Sequence, residues 1–193
     1  MEIVIVPKGE ELMIKDKETN TPLTNVYVGA GWDQADGGKP VDVDLVAACL
    51  IGGKLTSGGT GRLVYFNDRT EPGVTLSEDN RTGAGDGDDE SLVIDLSKVE
   101  PEVTEIAVGV VAYSAGVSLS QVNNINFRIV NGTTATDPQV MSVSMDSAKL
   151  GDTVLHAATL KRGSEGWTIE NVGQFYARGN QSYAVKGFAN LFA

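Results

Sequence analysis

The strongest chemical signal in the chain is one acidic loop, Glu78-Asp-Asn-Arg-Thr-Gly-Ala-Gly-Asp-Gly-Asp-Asp-Glu90. Six of its residues are acidic and one, Arg81, is basic. Gly83, Gly85 and Gly87 let the backbone turn sharply with positive φ. Carboxylates crowded this way repel one another, so a tightly folded loop gains from a bound cation. Every donor on offer is an oxygen: the carboxylates, the Asn80 amide, the Thr82 hydroxyl and backbone carbonyls. Hard oxygens in a flexible loop suit Ca²⁺ better than Zn²⁺, and Mg²⁺ demands a stricter octahedron. The EF-hand spacing fails from every Asp in the loop: from Asp79 the third position is Arg81, and from Asp86 the sixth is Ser91. The competing reading is a solvated acidic turn.

A second acidic segment lies upstream, Gly31-Trp-Asp-Gln-Ala-Asp-Gly-Gly-Lys-Pro-Val-Asp-Val-Asp-Leu45. Asp42 and Asp44 are two apart on a strand, so they share one face. That face is expected to point away from the core. Asp33 and Asp36 precede a Gly-Gly turn able to fold them back toward the pair. A metal site and a hairpin with an acidic outer face are equally consistent with this pattern.

Other chemistries find little support. His156 is the only histidine and Cys49 the only cysteine, so a His- or Cys-rich metal site is impossible. Cys49 sits in the apolar run Leu45-Val-Ala-Ala-Cys-Leu-Ile51, which reads as a buried thiol. His156 reads as a sheet or surface histidine. No nucleophile elbow, P-loop or dinucleotide fingerprint is present. Paired carboxylates working on sugars need a cleft lined with aromatics, and these are 6% of the chain. Trp32 and Trp167 read as core or sheet anchors. No catalytic residue is assigned.

The elements that must position the acidic segments are strands. Short β-prone runs recur between Gly, Asn, Asp and Pro, at residues 3–6, 25–29, 41–50, 62–66, 91–96, 105–112, 126–130, 140–145, 154–161 and 167–172. Leu92, Ile94 and Leu96 alternate onto one face, as do Phe127 and Ile129 with Arg128 opposite. Helical turns are expected only near Leu96–Val103, capped by Asp95 or Ser97, and near Ser118–Asn123. Hairpin turns are expected at Asn131-Gly132 and at Gly163–Gly166. Many strands without crossover helices predict an all-β fold, a two-sheet antiparallel sandwich forming one domain over 1–193. Residues 8–23 read as a hairpin arm or an N-terminal extension. The tail from 178 is polar but carries Phe188, Leu191 and Phe192, which could dock it.

With 26 acidic and 15 basic residues the formal net charge is −11, which repels phosphate backbones and argues against nucleic-acid partners. No apolar run approaches a membrane span, and the N-terminus lacks the basic start of a signal peptide. A cytoplasmic protein is expected.

The two acidic segments together resemble the TerD family of tellurium-resistance and stress proteins. That family's first motif runs Gly-Trp-Asp, a Gly-rich loop, then Asp-Phe-Asp-Leu-Asp-Ala-Ser; here stand Gly31-Trp32-Asp33 and Asp42-Val-Asp-Leu-Val-Ala-Ala48. Its second motif, Gly-Asp-Asn-Leu-Thr-Gly-Glu-Gly-Asp-Gly-Asp-Asp-Glu, is nearly complete over residues 78–90. Weaker matches, such as residues 121–131 and 172–176, extend the resemblance from Asn25 to Tyr176. It implies a β-sandwich whose acidic loops bind Ca²⁺ at one edge, acting through protein partners rather than turnover. It carries over Asp79, Asn80, Asp86, Asp88, Asp89 and Glu90 from the second motif, and Asp33, Asp42 and Asp44 from the first. Val46 stands where the family has a third Asp, and Ala48 where it has Ser, so the first site is expected to be the weaker. The alternative is a structural or scaffold protein, phage- or mobile-element-borne, whose acidic loops only stabilise the fold.

Overall fold

The computed structural model describes residues 6–13, 15, 21–22, 24–34, 40–56, 62–114, 116–137, 139–143, 148–177 and 184–193. Among the described residues twelve strands are formed: β1 (Glu11–Met13), β2 (Asn25–Asp33), β3 (Val43–Leu50), β4 (Leu63–Val64), β5 (Thr70–Glu71), β6 (Val74–Leu76), β7 (Glu90–Asp95), β8 (Glu105–Ala112), β9 (Asn123–Asn131), β10 (Gln139–Val143), β11 (Asp152–Gly163) and β12 (Gly166–Ala177). A short helix, α1 (Ala184–Ala189), follows. The strands make two six-stranded sheets, in the orders β1-β12-β11-β8-β3-β4 and β10-β9-β2-β7-β6-β5. Every pairing among the named strands is antiparallel, so the predicted sandwich is formed.

Alternation decides what each strand buries. On β7, Leu92 and Ile94 enter the core between the sheets, and Leu96 follows just beyond the strand. On β9, Phe127 and Ile129 do the same while Arg128 faces outward, as their spacing requires. Trp32 and Trp167 are both buried, Trp32 with its indole N–H donating to the Val41 carbonyl. The 3₁₀ turn Leu119–Gln121 and the Asp95-capped turn at Leu96–Lys98 lie where the sequence puts turns.

Strand β3 is buried on both faces. Val43, Leu45, Ala47 and Cys49 face the inter-sheet core. Val46, Ala48 and Leu50 face the outside of the first sheet, under α1 and the 3₁₀ turn Asn190–Phe192. The tail thus docks through Phe188 and Phe192, and the Phe192 carbonyl accepts from Leu55 N at 2.8 Å. Burial pushes the Cys49 thiol up to about 12, so it is an inert core group. His156 packs edge-on against Phe188 and Phe192, and the same apolar cover pushes its pKa down to about 4.

Two details differ from the sequence expectations, and one open alternative is decided. Residues 11–13 add β1 to the edge of the first sheet, beside β12, and Lys15 bridges Pro22, so at least part of the 8–23 segment is a sheet-bound arm. The β5–β6 hairpin, turning at Pro72-Gly73, is an element beyond the expected strands. Asp44 is not on an open face: it is 1% exposed. The expected strand over 3–6 lies mostly outside the described residues.

Candidate metal centre

The acidic loop leaves β6 and returns as β7, and the first acidic segment joins β2 to β3. Both segments therefore reach the same edge of the sandwich. There Asp42, Asp44 and Asp79 each present a carboxylate oxygen within 4.8 Å of the other two. The cluster draws on both segments. Phe66, Tyr113 and Arg81 complete the walls of its pocket, a space of about 270 Å³. Phe66 and Tyr113 stack edge to face with centroids 5.1 Å apart.

Backbone contacts fix the floor. The Asp42 N–H donates to Ser114 Oγ at 2.9 Å, and its carbonyl accepts from Tyr113 N and Ser114 N. Asp44 is paired across the ladder with Val111. Strand β4 is only two residues long and covers β3 at Ala47 and Ala48, which leaves Leu45 N–H beyond its reach. The Glu90 carboxylate from the other sheet accepts that N–H at 2.7 Å, and its second oxygen accepts from Asn80 N at 3.3 Å. Glu90 thus ties the two sheets together directly beneath the cluster.

The electrostatics of this corner are unfavourable as it stands. Asp42 Oδ1 and Asp44 Oδ2 are buried without a hydrogen-bond partner. Burial, followed by the charges of Glu90, Asp42 and Asp79, raises Asp44 to about 8. Burial likewise raises Glu90 to about 8, against the pull of the two N–H donors. Asp42 is raised by burial and by Asp79, with Arg81 opposing. Buried, unpaired carboxylate oxygens are costly, and a cation is the partner that would satisfy several at once.

The remaining predicted residues are placed as follows. Asn80 Oδ1 accepts from Thr82 N, Thr82 Oγ1 and Gly83 N, making a tight turn, while its Nδ2 donates to Asp89 Oδ1 at 2.7 Å. Asp89 Oδ2 accepts from Trp32 N at 2.8 Å. Asp33 accepts from Asn124 Nδ2. Asp86 is exposed. Asp88 lies against the outer face of the second sheet: Arg128 grips it with Nε at 3.1 Å and Nη2 at 2.7 Å, and the Tyr27 hydroxyl donates at 2.9 Å. Asp36 lies outside the described residues. The site roles of Arg128, Tyr27, Ser114, Phe66 and Tyr113 are not among the sequence expectations. Arg128 is the one charged side chain on β9, a signal the sequence offers; the others carry none.

Gly29 and Gly31 on β2 explain how the loop lies so close. A Cβ on Gly29 would sit 2.3 Å from Asp88 Oδ2, and one on Gly31 would sit 2.2 Å from the Gly87 carbonyl. The loop itself turns through Gly83, Gly85 and Gly87 at φ of 62°, 139° and 95°, as expected.

Two antiparallel sheets with a carboxylate cluster drawn from two loops define an all-β protein with an oxygen-donor edge. The chain belongs to the TerD family: the family model of the TerD domain matches residues 1–186, beyond the range of the motifs. It is 35% identical to the tellurium resistance protein TerD of Serratia marcescens, over 85% of this chain and 87% of that one. It is 34% identical to a TerD protein of an Alcaligenes species, over 95% and 96%. General stress protein 16U of Bacillus subtilis is 30% identical over 91% of this chain and 92% of its own. The fold is shared with the crystal structure of a TerD homologue from Streptomyces coelicolor, with a TM-score of 0.66 and 20% identity over 80% of this chain and 91% of that one. Among the described residues no helix is long and apolar enough to cross a membrane.

Proposed function

We propose that this protein is a calcium-binding, non-catalytic member of the tellurium-resistance and stress-response family, acting in the cytoplasm through a cation-organised edge that binds protein partners. The observation that carries the reading is the pair of buried, unpartnered oxygens on Asp42 and Asp44 beside Asp79. Calcium–oxygen distances are about 2.3–2.6 Å, so oxygens sharing one ion lie no more than about 5 Å apart. The mutual spacing of 4.8 Å or less meets that limit. The donors are all hard oxygens, the class Ca²⁺ prefers.

In this reading Asp42, Asp44 and Asp79 hold the ion. A bound calcium supplies two positive charges to a corner that holds excess negative charge. Glu90 and Asn80 fix the loop to β3, and Asp89 fixes it to Trp32. The names of the relatives supply the tellurium-resistance and stress roles. Calorimetric titration tests it: the wild-type protein binds calcium stoichiometrically, and Asp42→Asn/Asp79→Asn loses most of the heat. Unchanged titration in that variant sinks the site.

A second reading keeps the loops purely structural, and the engagement of Asp88, Asp89 and Glu90 within the fold favours it. A calcium-dependent change in association with partner proteins distinguishes the first from the second.

A further inference from the structure

We infer that Arg81 sets the affinity and charge selectivity of the carboxylate cluster, as an internal cation that opposes metal entry. The inference rests on the calcium reading above. Arg81 is the one basic residue of the acidic loop. Its Nε lies 3.9 Å from Asp42 Oδ2 and 3.9 Å from Asp79 Oδ2, two of the three clustered carboxylates. Those distances are too long for hydrogen bonds, so Arg81 acts on the cluster through its field. Its side chain is 72% exposed, which places it at the mouth of the pocket rather than on the floor. The deepest oxygen, Asp44 Oδ2, is buried and remains without a partner beneath it. Arg81 therefore lowers the negative potential at the entrance while the Asp44 oxygen below stays unpartnered.

The physics gives this a signature. An ion held by Asp42 and Asp79 lies at most about 6.5 Å from Arg81 Nε, the sum of the ion-pair distance and a calcium–oxygen bond. Repulsion between Arg81 and the ion is proportional to the ion's charge. Solvent screens an exposed guanidinium, so removing it tightens calcium binding by about three- to tenfold rather than by orders of magnitude. For a trivalent ion in the same site the logarithm of the gain is larger by the charge ratio, three to two. A fivefold gain for calcium becomes about elevenfold for terbium. A packing role would give no such ratio.

The test is calorimetric titration with calcium and luminescence titration with terbium on wild type, Arg81→Gln and Arg81→Lys, each at low and high KCl. The expected result is tighter calcium binding in Arg81→Gln, a proportionally larger gain for terbium, near-wild-type affinity in Arg81→Lys, and gains that shrink with salt. Equal or weaker calcium binding by Arg81→Gln overturns the inference, and so do equal gains for the two ions. Absence of calcium binding in both wild type and Arg81→Gln overturns the calcium reading itself.

Discussion

Val46 marks a boundary along a single face of β3. Asp42 and Asp44 precede it on that face and line the acidic pocket, whereas Val46, Ala48 and Leu50 lie under α1 in the outer apolar cluster with Val185 and Phe188. The position at which the motif resemblance led us to expect a third carboxylate is therefore packed with hydrocarbon in this chain, and Val46 is 0% exposed. Val46→Asp is expected to cost about 3–5 kcal/mol, because it buries a charge with no partner. Its calcium affinity is expected to stay at or below the wild-type level. Urea unfolding and calorimetry of the variant check both parts; a variant of normal stability with tighter calcium binding would show that the side chain reaches the pocket.

At the scale of elements, the acidic loop is held by two anchors of different kinds. Glu90 inserts across the sandwich to the stretch of the β3 edge that β4 leaves unpaired, and Asp88 is clamped by Arg128 and Tyr27 on the outer face of the second sheet. The clamp fits because Gly29 leaves no side chain beneath the Asp88 carboxylate. Gly29→Ala is expected to push Asp88 off Arg128 and to destabilise the protein by about 1–3 kcal/mol, the usual range for overpacking. Hydrogen exchange should accelerate across residues 83–89, while β8 and β11 keep their protection. Uniform acceleration through both sheets would mean that the loop is part of the global folding unit and not a separately anchored element.

The whole molecule carries a formal net charge of −11, and its edge holds carboxyl groups out of water. Asp44 and Glu90 have folded-state pKa values near 8 against ordinary values of 3.8 and 4.5. A carboxyl group raised in the folded state binds protons more tightly there than in the unfolded chain. Its contribution is fully present below about pH 4 and is lost as pH rises through about 8. Protein dialysed free of divalent ions should therefore melt at progressively lower temperature between pH 5 and pH 8.5. Calcium should reverse most of that loss at the alkaline end, by about 2.7 kcal/mol at a hundredfold excess over Kd. Melts at matched ionic strength, with and without calcium, measure both arms. A melting temperature independent of pH in the metal-free protein would mean that water reaches these carboxylates.

The sequence by itself determined the class of fold, because period-two burial and frequent turn residues are local properties written in residues such as Leu92, Ile94, Phe127 and Ile129. It also determined the family, since the 78–90 motif survives nearly intact. Some elements were too short to carry a pattern: β5 and β6 hold two and three residues, below the length at which alternation is legible. Tertiary structure alone decided that Asp42 and Asp44 meet Asp79, and that Asp88 faces Arg128 instead. It also decided that an apparently outward strand face is roofed by a helix more than 130 residues later. Each of these depends on which loops converge on one edge, and that follows from the pairing order of the two sheets, a long-range property no local spacing contains.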